Sequence, residues 1–132
     1  MNLRTKPNVT ATTAKKTSNL NSELTGTIKA ILDEYKKAIN ELITVIKPLG
    51  SSEITRIRDD KTTNPDCRSV QTILAHIIHS GYGYTNYIEN YAGYKKERQP
   101  KQNFENAHQY IEHLNNMFEY CENFLLKTLP SN

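Results

Sequence analysis

Three segments of the chain carry apolar residues at three- and four-residue spacing, which is typical of helices that bury one face. In the first segment the apolar positions are Ile28, Ile31, Leu32, Tyr35, Ile39, Leu42, Ile46 and Leu49. Lysines and glutamates occupy the opposite side, and Pro48 and Gly50 mark where the pattern stops. The first segment therefore predicts a helix over residues 21–47.

The second apolar segment follows a polar connection over residues 50–68. Ser69 is the predicted N-cap of this helix, because its side-chain oxygen can accept a hydrogen bond from one of the first amide groups. The apolar positions that follow are Val70, Ile73, Leu74, Ile77, Tyr84, Ile88 and Tyr91. Gly93 ends the pattern, so the second helix is predicted over residues 69–92.

The third segment comes after a basic connection over residues 95–101, and Asn103 is its predicted N-cap. Its apolar positions are Phe104, Ala107, Ile111, Leu114, Phe118, Cys121 and Leu125. They predict a helix over residues 103–128, and no segment has the alternation of a strand. We expect an all-α fold, an up-down antiparallel bundle of three long helices whose wide apolar faces could accept a fourth.

Charge is unevenly distributed along the 132 residues, although the formal net charge is only +3. The first twenty residues hold four basic groups, no acidic group and few large apolar side chains. They predict a disordered basic tail over residues 1–20, followed by one helical domain over residues 21–132. Because that domain is close to neutral and has no basic face, we expect no nucleic-acid partner.

Cysteine usage and hydropathy indicate a reduced, cytoplasmic protein. Cys67 and Cys121 lie far apart and form no C-x-x-C pair, and Cys121 lies on the third apolar stripe, where packing explains it. No segment reaches the roughly 18 apolar residues of a membrane span. The first residues also lack the apolar stretch of a secretory signal, so we expect no membrane association.

Histidines are the candidate chemistry-bearing residues, since no catalytic signature motif is present. With about 100° per helical residue, His76 falls at the edge of an apolar face beside Ser80, and we expect it to face a groove. His79 and His113 are predicted to face solvent, and His108 to border the third stripe. Two interpretations of His76 stay open: a helix-edge side chain with a backbone or water partner, or a metal ligand completed from a facing helix.

The run over residues 67–78 contains the pattern S-V-x-x-I-L-x-H from Ser69 to His76. It resembles the second-helix motif of the DinB/YfiT-like family of helix-bundle metalloenzymes. Residues 80–88 and 33–38 are similar to a subgroup of that family, and the resemblance spans roughly residues 24–129. It implies a four-helix bundle in which three histidines hold a divalent metal, often nickel or zinc. Some members of the family resemble thiol-dependent transferases or isomerases that use low-molecular-weight thiols.

Carried onto this sequence, the resemblance makes His76 the first metal ligand and assigns no catalytic residue. The other two ligands come from an H-x-x-x-H pair on the family's last helix, and the sequence stops at Asn132 before that helix. His108 and His113 do not match that pair, because they lie on the third helix with the wrong spacing. We therefore expect an incomplete or inactive DinB-like enzyme with weak metal binding. The alternative is a non-catalytic helical interaction module that forms homo-oligomers or accepts a partner helix.

Overall fold

A computed structural model describes the backbone of residues 6–128 and the side chains of residues 22–128. Within these residues there is no strand, and the prediction of an all-α helix bundle is confirmed. The helices are α1 (Lys6–Ile46), α2 (Ser51–Thr55), α3 (Val70–Tyr91) and α4 (Ala107–Asn123). A 3-10 turn, Pro65–Cys67, precedes α3, and a π-helical turn, Phe124–Thr128, extends α4. None of the described helices combines the length and apolarity needed to cross a membrane.

α1 begins much earlier than its apolar stripe. Residues 6–20 are described as helix, residues 1–5 lie outside the described residues, and the division into a disordered basic tail over residues 1–20 and a helical domain over residues 21–132 stays a prediction. Nothing in residues 6–20 interrupts a helix, since the segment has no glycine and Pro7 lies in the first turn, where its missing N–H is not needed. The absence of an apolar stripe was therefore not evidence against a helix.

Side-chain caps define where α3 and α4 begin. The Ser69 cap is confirmed: its hydroxyl accepts from the Thr72 amide at 3.1 Å, and the Thr72 hydroxyl accepts from the Ser69 amide at 3.0 Å. The prediction of Asn103 as the next cap is wrong. The cap lies three residues later, at Asn106, which accepts from the Gln109 amide at 2.9 Å, and α4 begins at Ala107.

α3 and α4 run in the same direction, which corrects the expectation that all the helices alternate. Near the start of both helices, the Tyr110 hydroxyl donates to the Gln71 carbonyl at 3.2 Å. Near the end of both, the Tyr120 hydroxyl donates to the Glu89 carboxylate at 2.6 Å. The connection over residues 92–106 must therefore return along the bundle before α4 can begin.

α1 lies antiparallel to α4 and packs on it. Tyr35 meets Phe118 edge to face at 5.4 Å between ring centroids, and Leu32, earlier in α1, packs with Phe118 and Cys121. α4 contacts both α1 and α3, whereas α1 and α3 barely meet. The main buried core consists of Ile39, Ile46, Ile54, Leu74, Ile78, Ala107, Tyr110, Leu114 and Met117. Burial of Cys121 confirms that this cysteine packs in the interior.

Replacement of Leu114 by alanine tests this core. Leu114 has no exposed surface, so Leu114→Ala should lower the free energy of unfolding by about 2–5 kcal/mol through lost burial and a cavity. The control is Val45→Ala, since Val45 is 67% exposed on α1 and the change should stay within about 0.5 kcal/mol. Urea unfolding measures both. Similar small losses in the two variants would contradict the central position of α4.

Candidate functional site

His76 has an acidic partner at one ring nitrogen. Its Nδ1 lies 3.2 Å from Oδ2 of Asp66, and its Nε2 lies 3.4 Å from the Ser80 hydroxyl one helical turn later. The side chain is 52% exposed. A carboxylate beside Nδ1 favours the proton on that nitrogen, so Nε2 carries the lone pair and accepts from the Ser80 hydroxyl. The ring is therefore paired with a side chain and not with a backbone group. It also does not lie in the groove that the helical wheel predicted.

Asp66 is presented to His76 by the 3-10 turn before α3. Asn64 forms this turn by accepting from the Asp66 amide at 3.0 Å, with Pro65 in the first position of the turn. Lys101 forms an ion pair with the other carboxylate oxygen, Oδ1. The hydrogen bond from Lys101 lowers the pKa of the Asp66 carboxyl, against some desolvation, and the positive charges of Lys101 and His76 act in the same direction. Asp66 is therefore ionised at neutral pH.

A cleft of about 540 Å³ lies between α3, α4 and the returning connection. His79 and His113 both line it, so the prediction that they face solvent is wrong. Because α3 and α4 run parallel, the connection between them returns along α3. Its residues 95–104 cover a side of α3 that the helical wheel had predicted to face solvent. His76 is not among the residues that line the cleft, and His108 is exposed on α4.

Aromatic side chains form much of the cleft wall. Phe104 and His113 stack with their ring centroids 4.0 Å apart and their planes within 13°. Tyr82 and Tyr120 form a second pair at 5.5 Å. The aromatic rings leave an interior of mixed character, with apolar faces and polar edges, which is typical of clefts that bind small molecules.

His79 is held in its neutral form at the cleft. Arg98 Nη2 lies 3.1 Å from His79 Nδ1, and since a guanidinium can only donate, Nδ1 must be the acceptor. Desolvation is the largest cause that lowers the pKa of His79, followed by the positive charges of Arg98 and Lys101, while a hydrogen bond with the Gln99 backbone raises it. The ring proton therefore belongs on Nε2.

Two glycines inside α3 permit close contacts with its neighbours. A Cβ on Gly81 would lie 1.9 Å from the Met117 sulfur, so α4 approaches α3 at this point. A Cβ on Gly83 would lie 2.8 Å from the guanidinium of Arg98, which crosses α3 to reach His79. These contacts explain why residues with low helix propensity stand in the middle of a long helix.

Glu89 is a buried carboxylate that the sequence analysis did not identify. It is 4% exposed, and its Oε1 accepts from Tyr120 at 2.6 Å and from the Asn86 amide at 2.9 Å. Desolvation and then the neighbouring Glu89 raise the pKa of Tyr120 to about 12, so the phenol keeps the proton that it donates. The only sequence signal was a glutamate among apolar and aromatic residues near the end of α3.

Removal of the Arg98 charge should change the titration of His79. In Arg98→Gln the pKa of His79 should rise toward the usual value of about 6.5, because a nearby positive charge and part of the desolvation are lost. In the unchanged protein the unfolded chain takes up this proton first, so the free energy of unfolding falls as the pH drops below about 6.5. NMR titration of the imidazole measures the pKa, with exposed Arg56→Gln as the control. An unchanged or lower pKa in Arg98→Gln would contradict the assigned contact.

Comparison of the chain with protein-family models, with curated proteins and with solved structures finds no match. The resemblance of residues 67–78 to the DinB/YfiT-like family therefore stays a prediction. Across the part of the chain that the structure describes, no three histidine, cysteine or acidic side chains are grouped closely enough to hold a metal ion. His76 and Asp66 fit one coordination position of a metal site and do not make a complete one.

Proposed function

We propose that this chain is part of a DinB-like metal-dependent enzyme in which His76 supplies one ligand to a divalent ion, nickel or zinc. The observation that supports the proposal is the 3.2 Å contact between His76 Nδ1 and Asp66. Metal-binding histidines usually donate their second ring N–H to a carboxylate or carbonyl, which fixes the tautomer and makes the free nitrogen a better ligand. His76 Nε2 carries the lone pair, and an ion that reaches this exposed ring would take the place of its 3.4 Å contact with the Ser80 hydroxyl.

His76 alone does not provide a complete metal site. A catalytic zinc site generally has three protein ligands, and a single histidine binds a divalent ion weakly. Within residues 22–128 His76 and Asp66 have no third histidine, cysteine or acidic side chain grouped with them closely enough to hold a metal ion. The remaining ligands would have to come from residues outside this set or from another chain. The reaction, a low-molecular-weight thiol as a substrate and a cytoplasmic location stay predictions of the sequence.

Paramagnetic Ni²⁺ titration monitored by NMR tests His76 as a ligand. The ion should broaden the signals of Asp66 and Ser80 at lower concentration than signals elsewhere. His76→Ala should abolish this preference, and Asp66→Asn should weaken the affinity by about tenfold or more, because the carboxylate no longer supports the ring. The matched control is His108→Ala, which removes an exposed histidine from α4 that forms no ion pair among the described residues.

Two results would overturn this proposal. One is broadening of equal strength around His76 and His108, which would make binding at His76 no more than that of any exposed imidazole. The other is an unchanged response in His76→Ala. A loss in Asp66→Asn alone, with a normal response in His76→Ala, would place the ion on the carboxylate and would also contradict His76 as the ligand.

A helical interaction module is the second candidate, and a stripe of exposed apolar residues on α1 favours it. Leu24, Ile31 and Val45 are 57%, 62% and 67% exposed, and exposed Ala38 completes a seven-residue spacing. This α1 stripe lies beside the face that packs on α4. Seven-residue apolar spacing is typical of a seam between two helices, so a second copy of α1 is the partner that it fits.

Sedimentation velocity over a range of protein concentrations tests self-association through the α1 stripe. The unchanged chain should form dimers that dissociate on dilution, and Ile31→Glu should be monomeric, because a charge at the centre of an apolar seam is costly to bury. Lys29→Glu is the control, since Lys29 lies on nearly the opposite side of α1 and its replacement should leave the dimer intact. A monomer at every concentration would exclude the module, and equal loss in both variants would exclude this surface.

A further inference from the structure

Lysines outnumber acids among the residues that line the cleft between α3, α4 and residues 95–104. Lys95, Lys96 and Lys101 line it, together with one acid, Glu97. Lys101 is already paired with Asp66, whereas Lys95 and Lys96 form no ion pair with any described residue. The buried carboxylate of Glu89 does not line the cleft, and its hydrogen bonds go to Tyr120 and Asn86. The cleft therefore presents two cations whose charges are not neutralised within the described structure.

The segment that carries these lysines is attached to α3 at two points and to the 3-10 turn before α3 at a third. The Asn90 side chain accepts from the Lys96 amide at 2.8 Å and donates to the Lys96 carbonyl at 3.1 Å. Arg98 is bonded to His79, and Lys101 to Asp66. A connection fixed in this way holds the cleft in an open, preformed shape, and preformed sites lose less conformational entropy when a ligand binds.

Apolar and aromatic side chains also line the cleft. Ala75 and Ile78 form part of its surface, together with the stacked pair Phe104 and His113. The volume of about 540 Å³ lies within the usual range of roughly 300–1,000 Å³ for small-molecule sites. Apolar and aromatic lining favours an organic group with a planar apolar body over a hydrated inorganic ion, which would keep its water.

From this geometry we propose that the cleft binds a small organic anion, with a planar apolar body against Phe104 and His113 and a carboxylate or phosphate group at Lys95 and Lys96. The positive charges of Arg98 and of Lys101, which lines the cleft, come after desolvation among the causes that lower the pKa of His79. Those two charges favour a negative group on a ligand, whereas desolvation opposes charge of either sign. The proposed site is separate from His76 and does not depend on metal binding there.

Isothermal titration with three matched naphthalene compounds tests this site. 1-Naphthoate and 1-naphthyl phosphate carry the two candidate anionic groups, and 1-naphthamide is a neutral analogue with the same ring. Both anions should bind, and the amide should bind at least about fivefold more weakly, which is the scale of one exposed ion pair. The stronger of the two anions identifies which group the lysines select. Chemical-shift changes in NMR spectra should be largest at Ala75, Ile78 and His113.

Charge-matched variants separate the cleft from general attraction to a basic protein. Lys95→Gln with Lys96→Gln should weaken binding of the stronger anion at least about fivefold and leave the amide unchanged. The control, Lys29→Gln with Lys47→Gln, removes the same charge from exposed positions on α1 and just after its end, and should leave both affinities unchanged. Four results would each overturn the proposal. In the titrations they are equal binding of the amide and the anions, or no binding of either anion. The other two are an equal loss of affinity in both double variants and chemical-shift changes remote from the cleft.

Discussion

The rest of the structure depends on the hydroxyl of buried Tyr110, which connects the start of α3 to the segment just before α4. It donates to the Gln71 carbonyl of α3 and accepts from the Phe104 amide at 2.8 Å, just before α4. Burial raises the pKa of this phenol, so its proton stays available for donation. Because these contacts place the start of α4 beside the start of α3, the two helices run parallel. The connection must then return along them, and the cleft forms beneath it.

The sequence predicted the buried faces well, because a repeating apolar stripe is the direct consequence of one-sided burial. It also identified Ser69, whose hydroxyl and that of Thr72 satisfy each other's amides over four residues. The sequence could not predict the direction of α4, since the same three apolar stripes allow α4 to run parallel or antiparallel to α3. Asn103 and Asn106 are equally good caps by residue type, and the Tyr110 hydroxyl decides between them, because it accepts from the Phe104 amide and holds Phe104 outside the helix.

The candidate sites were harder to predict for the same reason. A helical wheel assigns solvent to every position away from the main core, and it does not account for a connection that covers a second side. His79 and His113 are therefore enclosed, while His76 is paired with an aspartate from the preceding turn. The sequence did not predict the burial of Glu89 either. A buried carboxylate needs hydrogen-bond donors, and those of Glu89 come from Asn86 on the same helix and from Tyr120 on a different helix. Local spacing predicts faces, and it does not predict partners that are distant in sequence.

Lys101 connects the two candidate sites physically. Its amine forms an ion pair with Asp66 beside His76, while its side chain lines the cleft. The carboxylate of Asp66 thus has two partners, Lys101 and His76, and its lowered pKa depends first on Lys101. If the ion pair breaks, Asp66 keeps its contact with His76 but loses the group that holds its charge and position. The orientation of the His76 ring is therefore supported from the cleft side of the molecule, through one surface ion pair whose strength falls as salt concentration rises.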